Sequence, residues 1–188
     1  MTARWVVGIA PERDLDVLWR PISLLWKNNV TEDSEHYERV RRTHNLMRVM
    51  ESVRETDGND GVERLYTEYG RRIHHDKELE FDLAEALEAV GLDTSHAAAY
   101  DDEAWDPGIR KQMDDGLALV GDDFGTPILA WERTDSRRVA YFGPVITRVP
   151  PGDKSLQLWD SLTGLTDIDG FWELKRARTE RPDFGDRP

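Results

Sequence analysis

The spacing of apolar residues changes along the chain, and each change marks an element. "TARWVVGIAP" is short and apolar and ends at Pro11, so it reads as the tail of a helix. In "DLDVLWRPISL" Val17, Trp19 and Pro21 alternate with Leu18, Arg20 and Ile22, the two-residue period of a partly buried strand. "KNN" then marks a loop. From Glu35 to Arg54 the period becomes helical, with Tyr37, Val40, His44, Met47, Met50 and Val53 at three- and four-residue steps. "ETDGND" breaks that helix. A second starts at Asn59 or Asp60 and carries Val62, Leu65, Tyr66, Tyr69 and Ile73 on one face. A third carries Leu79, Leu83, Leu87 and Val90 and stops at Gly91, where a left-handed residue is easiest for glycine. "SHAAAY" reads as a short helical piece. "DPGIRKQMDDGLALVG" reads as a helix with Asp106 as N-cap and Pro107 in its first position.

The last third returns to sheet. "TPILAWE" and "RRVAYFG" are short runs of β-branched and aromatic residues, and the turn "RTDS" between them makes an antiparallel hairpin. "PPGDKSLQLWDSL" opens a helix with Leu156, Trp159 and Leu162 on one side, and "DGFWELKRA" adds one or two helical turns. "RTERPDFGDRP" reads as a loose polar tail. There is no internal repeat. The order is helix, strand, helical block, hairpin, helix: an α/β sheet domain with a helical insertion.

Composition narrows the function. The 188 residues carry a net charge of −13, so no concentrated basic surface awaits phosphates and nucleic acid is not an expected partner. The acidic residues are spread out, as on a well-hydrated surface. No apolar run reaches the roughly 20 residues of a membrane span, and no secretory leader is visible. The chain has no cysteine, which removes disulfides, zinc–thiolate sites and a cysteine nucleophile from these residues. Together these suit the cytoplasm.

One stretch departs from simple patterning. "GDDFGTPILAW" puts a Thr-Pro pair at the threshold of a strand, where proline removes a ladder donor. With this element order, "GTP" resembles the cis-proline loop of the thioredoxin fold with a helical insertion, as in DsbA-like proteins. The stretches "LYTEYGRRIHHD", "GDDFGTP", "YFGPVITRVPPGDKSLQLWDSL" and "FWELKRARTERPDF" make the match closer. They resemble the actinobacterial mycothiol-dependent nitroreductases over nearly all of residues 4 to 182. "WRPISLLWKNN" falls where that branch has a strand ending in a Ser-Leu loop with a nearby Asn.

The resemblance implies a thioredoxin-like part at 1–32 and 122–165, a helical insertion at 33–121, and a C-terminal helix and tail at 166–188. It implies a cis bond between Thr126 and Pro127, with Thr126 lining a pocket beside the N-terminus of the first helix. The family's first central strand and its Cys-Pro-Trp-X motif have no counterpart in the chain. The resemblance places that cysteine one or two helical turns before Met1. Residues 17–22 and 127–132 would flank the central strand. Without it they are expected to leave a gap, pair with each other or borrow a strand, and the chain is expected to be marginally stable.

The substrate-binding candidates are Gly125, Thr126, Pro127, Asn28 and His74. Each has a plainer reading: a turn proline at a strand start for the Thr-Pro pair, a turn former for Asn28, and a helix-end histidine facing the last carbonyls for His74. "HHD" suggests a metal, but adjacent helical residues point about 100° apart, so none is assigned. Trp19, Trp105, Trp131 and Trp159 read as core. Two functions with a small-molecule role stay open, beside a folded scaffold with none. One is a DsbA-like thiol-dependent oxidoreductase, inactive without its cysteine, with no tightly bound cofactor and a low-molecular-weight thiol, mycothiol, as cosubstrate. The other is a cysteine-free thioredoxin-fold protein that binds a small-molecule thiol or reducible substrate without turnover. A homodimer is compatible with either.

Overall fold

The helix at the N-terminus is amphipathic in a simple way: Trp5 and Ile9 recur one turn apart and both are buried. In this computed structural model, which describes residues 1–121, 124–133 and 135–187, that helix is α1 (Thr2–Arg13). It runs two residues past Pro11. The chain is mixed α/β, mostly helical, with one two-stranded sheet among the described residues. It divides into two compact units, residues 1–17 with 118–185, and residues 18–117 with 186–188.

In the first unit, β1 (Ile128–Glu132) pairs antiparallel with β2 (Arg138–Phe142), Leu129 opposite Tyr141 and Trp131 opposite Val139. The expected turn "RTDS" includes Thr134, which lies outside the described residues, as do Asp122 and Asp123 of "GDDFGTP". Helix α6 (Asp153–Thr166) presents Leu156, Trp159 and Leu162 to Trp5, Val6 and Ile9 of α1, and Leu129 of β1 joins them. Trp5 donates its indole N–H to the Ser155 carbonyl at 3.0 Å. This satisfies the one polar atom that so large a buried side chain carries.

Helix ends at Thr166, and the turns expected in "DGFWELKRA" do not form: residues 171–187 have neither helix nor strand. The tail is nonetheless tied. The Asp183 amide donates to the Thr147 carbonyl at 2.7 Å, Arg4 reaches the Phe184 carbonyl at 3.1 Å, and Arg148 pairs with Glu180.

The second unit is helical. Helix α2 (Leu24–Lys27) is a single turn. Helix α3 (Tyr37–Gly70) bends at Gly58, whose φ of 65° and ψ of −157° interrupt it where "ETDGND" predicts a break. A π-helical turn, Arg71–Asp76, follows. Helix α4 (Leu83–Glu88) is shorter than its apolar period predicts, because Asp82 caps it through the amides of Ala84 and Glu85, leaving Leu79 outside and half exposed. Gly91, at φ 68°, ends the turn, and the Leu92 amide returns to the Leu87 carbonyl. "SHAAAY" lies in a 3₁₀ stretch, Thr94–Asp101. Val49, Val53, Leu65 and Leu87 form the buried centre of this unit.

Two expectations are corrected here. Residues 14–23 contain no strand. The alternation is real, since Leu15, Val17, Trp19 and Pro21 are half-buried while Asp16, Leu18 and Arg20 are exposed. An extended chain with alternating burial is not yet a strand. The Trp19 amide donates to the Asn59 side chain at 2.9 Å, and Pro21 has no amide to give, so a ladder lacks its donors. The other correction concerns Asp106. Helix α5 (Asp106–Val120) follows a 3₁₀ turn (Glu103–Trp105) without interruption, and Asp106 has helical dihedrals. Its carboxylate is held by Arg48 and His44, so it is not the N-cap.

Candidate functional site

The approach to β1 is built on two proline peptides. The bonds Thr126–Pro127 and Gly143–Pro144 are both cis, the first as the family resemblance implies and the second not anticipated from sequence. They face each other across the open end of the hairpin, where the Gly143 amide donates to the Pro127 carbonyl at 2.8 Å. Gly143 sits at φ 105°, and a Cβ there would come within 3.2 Å of the Val145 amide nitrogen. From Pro144 the connection continues to the start of α1, where the Thr2 hydroxyl donates to the Pro144 carbonyl at 2.7 Å. The Thr-Pro loop is thus joined through one further loop to the first turn of α1. Thr126 itself is exposed, Gly125 and Pro127 are half-buried, and Phe124 stacks on Phe142 with ring centroids 5.6 Å apart.

The other two candidates lie on the helical unit. Asn28 is exposed at the C-terminal end of α2, and its amide returns to the Leu24 carbonyl at 3.2 Å. The loop turns at Asn29 with φ 47°. His74 is exposed in the π-helical turn, and its carbonyl accepts from Lys77 Nζ at 2.5 Å. The adjacent Asp76 receives Arg187 on both carboxylate oxygens, at 2.8 and 2.9 Å. That hydrogen-bonded charge holds the Asp76 carboxyl below its ordinary range. The sequence candidates therefore fall into two groups: Gly125, Thr126 and Pro127 on the unit that holds the sheet, Asn28 and His74 on the helical unit. Among the described residues, no three His, Asp or Glu side chains gather as a metal site, and no helix is long and apolar enough to cross a membrane.

Sequence reasoning missed the polar centre of the helical unit. Ser23, the N-cap of α2, is fully buried, and so is nearly all of His44 on α3. His44 Nδ1 lies 3.0 Å from Ser23 Oγ and Nε2 lies 3.2 Å from Asp106 Oδ1. Arg48 grips the same carboxylate from one turn further along α3. The Trp26 ring lies 4.4 Å from the imidazole, and the Arg110 guanidinium covers that indole at 3.9 Å. The helical period shows His44 on the inner face of α3. No local sign links it to Asp106, 62 positions away.

Comparison with known proteins places the chain. The model of a family described as Rv2466c-like, mycothiol-dependent nitroreductase Rv2466c, matches residues 1–176. A Mycobacterium tuberculosis (strain ATCC 25618 / H37Rv) protein named "Uncharacterized protein Rv2286c" is 27% identical over 186 residues, covering 95% of this chain and 76% of that protein.

Proposed function

Because the chain belongs to the Rv2466c-like family of mycothiol-dependent nitroreductases, we propose that it supplies the substrate-binding side of a thiol-dependent oxidoreductase. The family match over residues 1–176 carries this reading. Its sheet-bearing part is read as thioredoxin-like and DsbA-like, with the helical block as an insertion. The electron donor is a low-molecular-weight thiol, mycothiol. Two thiols joining as a disulfide release two electrons and two protons, which the nitro or disulfide acceptor takes up. On the sheet-bearing unit, Thr126, Pro127 and Gly125 are the proposed contacts to the reducible substrate. On the helical unit, Asn28 and His74 are proposed as hydrogen-bonding side chains. The setting is cytoplasmic, and a homodimer is compatible with the reading.

Such chemistry needs a thiolate, and these 188 residues have no cysteine. The proposal therefore assigns the nucleophile to residues outside them. The same observation supports a second reading, a protein that binds the thiol or a reducible substrate without turning it over. One experiment separates the two. The 188-residue chain, and the chain extended by the codons preceding Met1, are each supplied with mycothiol and a nitro substrate. Turnover by the extended chain alone supports the oxidoreductase. Mycothiol binding without turnover in both supports the binding protein. Turnover by the 188 residues themselves overturns the assignment of the nucleophile.

A further inference from the structure

The segment Leu18–Asn29 is attached to the rest of the helical unit at places that differ chemically. Near its start, Trp19 donates its amide to Asn59 and its indole N–H to Glu63 at 3.4 Å, and its ring packs on Tyr66 at 4.7 Å. Near its end, Ser23 is held by His44. Between them Arg20 Nη1 donates to Gln112 at 3.1 Å.

The hydrogen bonds around Ser23 have only one self-consistent direction while Asp106 is ionised. The carboxylate accepts from Arg48 and from His44 Nε2, so Nε2 carries the proton. Nδ1 is then an acceptor and takes the Ser23 hydroxyl proton. Ser23 Oγ, its hydrogen committed, accepts from the Trp26 amide at 3.4 Å and so caps α2. The chain runs from Trp26 N–H to Ser23, from Ser23 O–H to His44, and from His44 N–H to Asp106. Every group in it is used once, with neutral imidazole.

The same three residue types in the same order form hydrolytic triads. That role does not suit Ser23, whose side chain has no exposed surface and whose oxygen is already occupied as the cap of α2.

We propose that His44 is a proton-operated latch on the segment Leu18–Asn29: neutral, it locks Ser23 and the turn that carries Asn28; protonated, it releases them. A proton on Nδ1 turns that atom from acceptor to donor. The Ser23 hydroxyl must then rotate away from His44, and the hydrogen bond that ties this turn to α3 is lost. The new positive charge also sits 2% exposed, facing Arg48 on α3 and Arg110 on α5, while the facing Asp106 is already engaged by Arg48. Burial, the larger effect, and these two guanidinium groups hold the imidazole below its ordinary value, outweighing the attraction of Asp106. The unfolded chain thus takes up the proton more readily than the folded segment. The latch is complete above the unfolded value of about 6.5 and weakens as pH falls below it toward the lower folded value. The latch stands on this geometry alone. Only its bearing on substrate access at Asn28 rests on the function proposed above.

The test needs no turnover, so its failure is separate from failure of that function. Long-range ¹H–¹⁵N correlation spectra of the chain from pH 5 to 8 report the tautomer and titration of each of its five histidines, with a His44→Gln variant assigning the resonance. Amide hydrogen exchange, corrected for the intrinsic pH dependence, is followed at the amides of Trp26, Lys27, Asn28, Asn29 and Val30, all hydrogen-bonded within this turn. The expected result is a neutral Nε2–H tautomer at pH 8. Exchange at Trp26–Val30 should rise by up to about tenfold per pH unit below the ordinary histidine value, while the Trp19 amide stays unchanged. The His44→Gln variant should lose that dependence. If it does not fold, Ser23→Ala serves: it should raise the His44 titration midpoint and flatten the exchange profile. An Nδ1–H tautomer, an imidazole already charged at pH 7, or an exchange profile the same in wild type and variant would overturn the proposal.

Discussion

Arg48 and Asp106 meet across 58 positions of sequence in a two-pronged ion pair, Nε to Oδ1 at 2.6 Å and Nη2 to Oδ2 at 2.9 Å. The guanidinium is 9% exposed and the carboxylate 24%. Burial alone would push the Asp106 carboxyl up; the hydrogen bonds and charge of Arg48, with help from His44, hold it below its ordinary value. The planar fork of arginine matches the two oxygens and leaves little freedom between α3 and the first turn of α5.

Removing the charge tests this pair. Asp106→Asn leaves a guanidinium nine-tenths buried without its anion, and the expected loss is about 3 kcal/mol, as for other buried pairs broken on one side. Urea unfolding at pH 7 measures it, and a loss below about 0.5 kcal/mol would place the pair among surface salt bridges. The sign with pH follows from the depressed carboxyl. The contribution is present above the ordinary aspartate value and is lost as pH falls through the lower folded one. The variant should therefore lose less stability than the wild type on acidification below pH 4.

Two glycines of α3 should respond to the same change with opposite signs. A Cβ on Gly61 would lie 2.5 Å from Asp57 Cβ and 2.8 Å from Val53 Cγ1, atoms close to backbone that cannot swing aside. A Cβ on Gly70 meets nothing within 4 Å. Alanine gains about 1 kcal/mol over glycine inside a helix, while overpacking costs about 1–3 kcal/mol. Gly61→Ala is expected to destabilise by up to about 2 kcal/mol net, and Gly70→Ala to stabilise by up to about 1 kcal/mol. Paired thermal melts decide. A gain in both variants would mean that the bend after Gly58 relaxes freely.

Legibility in the sequence followed the range of the interaction. The hairpin was readable because Ile128, Trp131, Val139 and Tyr141 declare themselves within a few residues of their partners. The break at Gly58 is readable for the same reason, whereas the packing of α1 on α6, about 150 positions apart, is not. In the run 14–23 the alternation marks burial without marking a ladder, and the decisive partner of the Trp19 amide, Asn59, is 40 positions away. Next to Pro107, Asp106 has the local signature of a cap, while its carboxylate is held by His44 and Arg48 of α3. Apolar period shows which face is inside. It does not show which buried polar groups meet there, so the Ser23–His44–Asp106 chain was invisible. The candidate contacts around Thr126 came from family resemblance.

Thr126 should separate binding from stability. Its side chain is exposed at the entry to β1, so Thr126→Ala is expected to change stability by less than about 0.5 kcal/mol. If its hydroxyl contacts the reducible substrate, the loss of one hydrogen bond weakens binding by about 1 kcal/mol, roughly fivefold. Calorimetric titration of the nitro substrate into wild type and variant measures the difference. Unchanged affinity would remove Thr126 from the proposed contacts.

Trp5 tests what holds the sheet-bearing unit together. It is fully buried, touches Trp159 at 6.0 Å between ring centroids, and has its indole N–H on the Ser155 carbonyl. Trp5→Phe keeps most of the apolar volume but removes that hydrogen bond, at a cost of about 0.5–1.5 kcal/mol. Trp5→Ala removes the ring as well and should cost about 3–5 kcal/mol, a large part of the 5–15 kcal/mol typical of a whole domain. Denaturant midpoints of the two variants are expected in that order, with the signal from Trp159 reporting this unit. Equal losses in both would show that the hydrogen bond dominates. A neutral Phe variant would show that α1 is held to α6 by apolar packing alone.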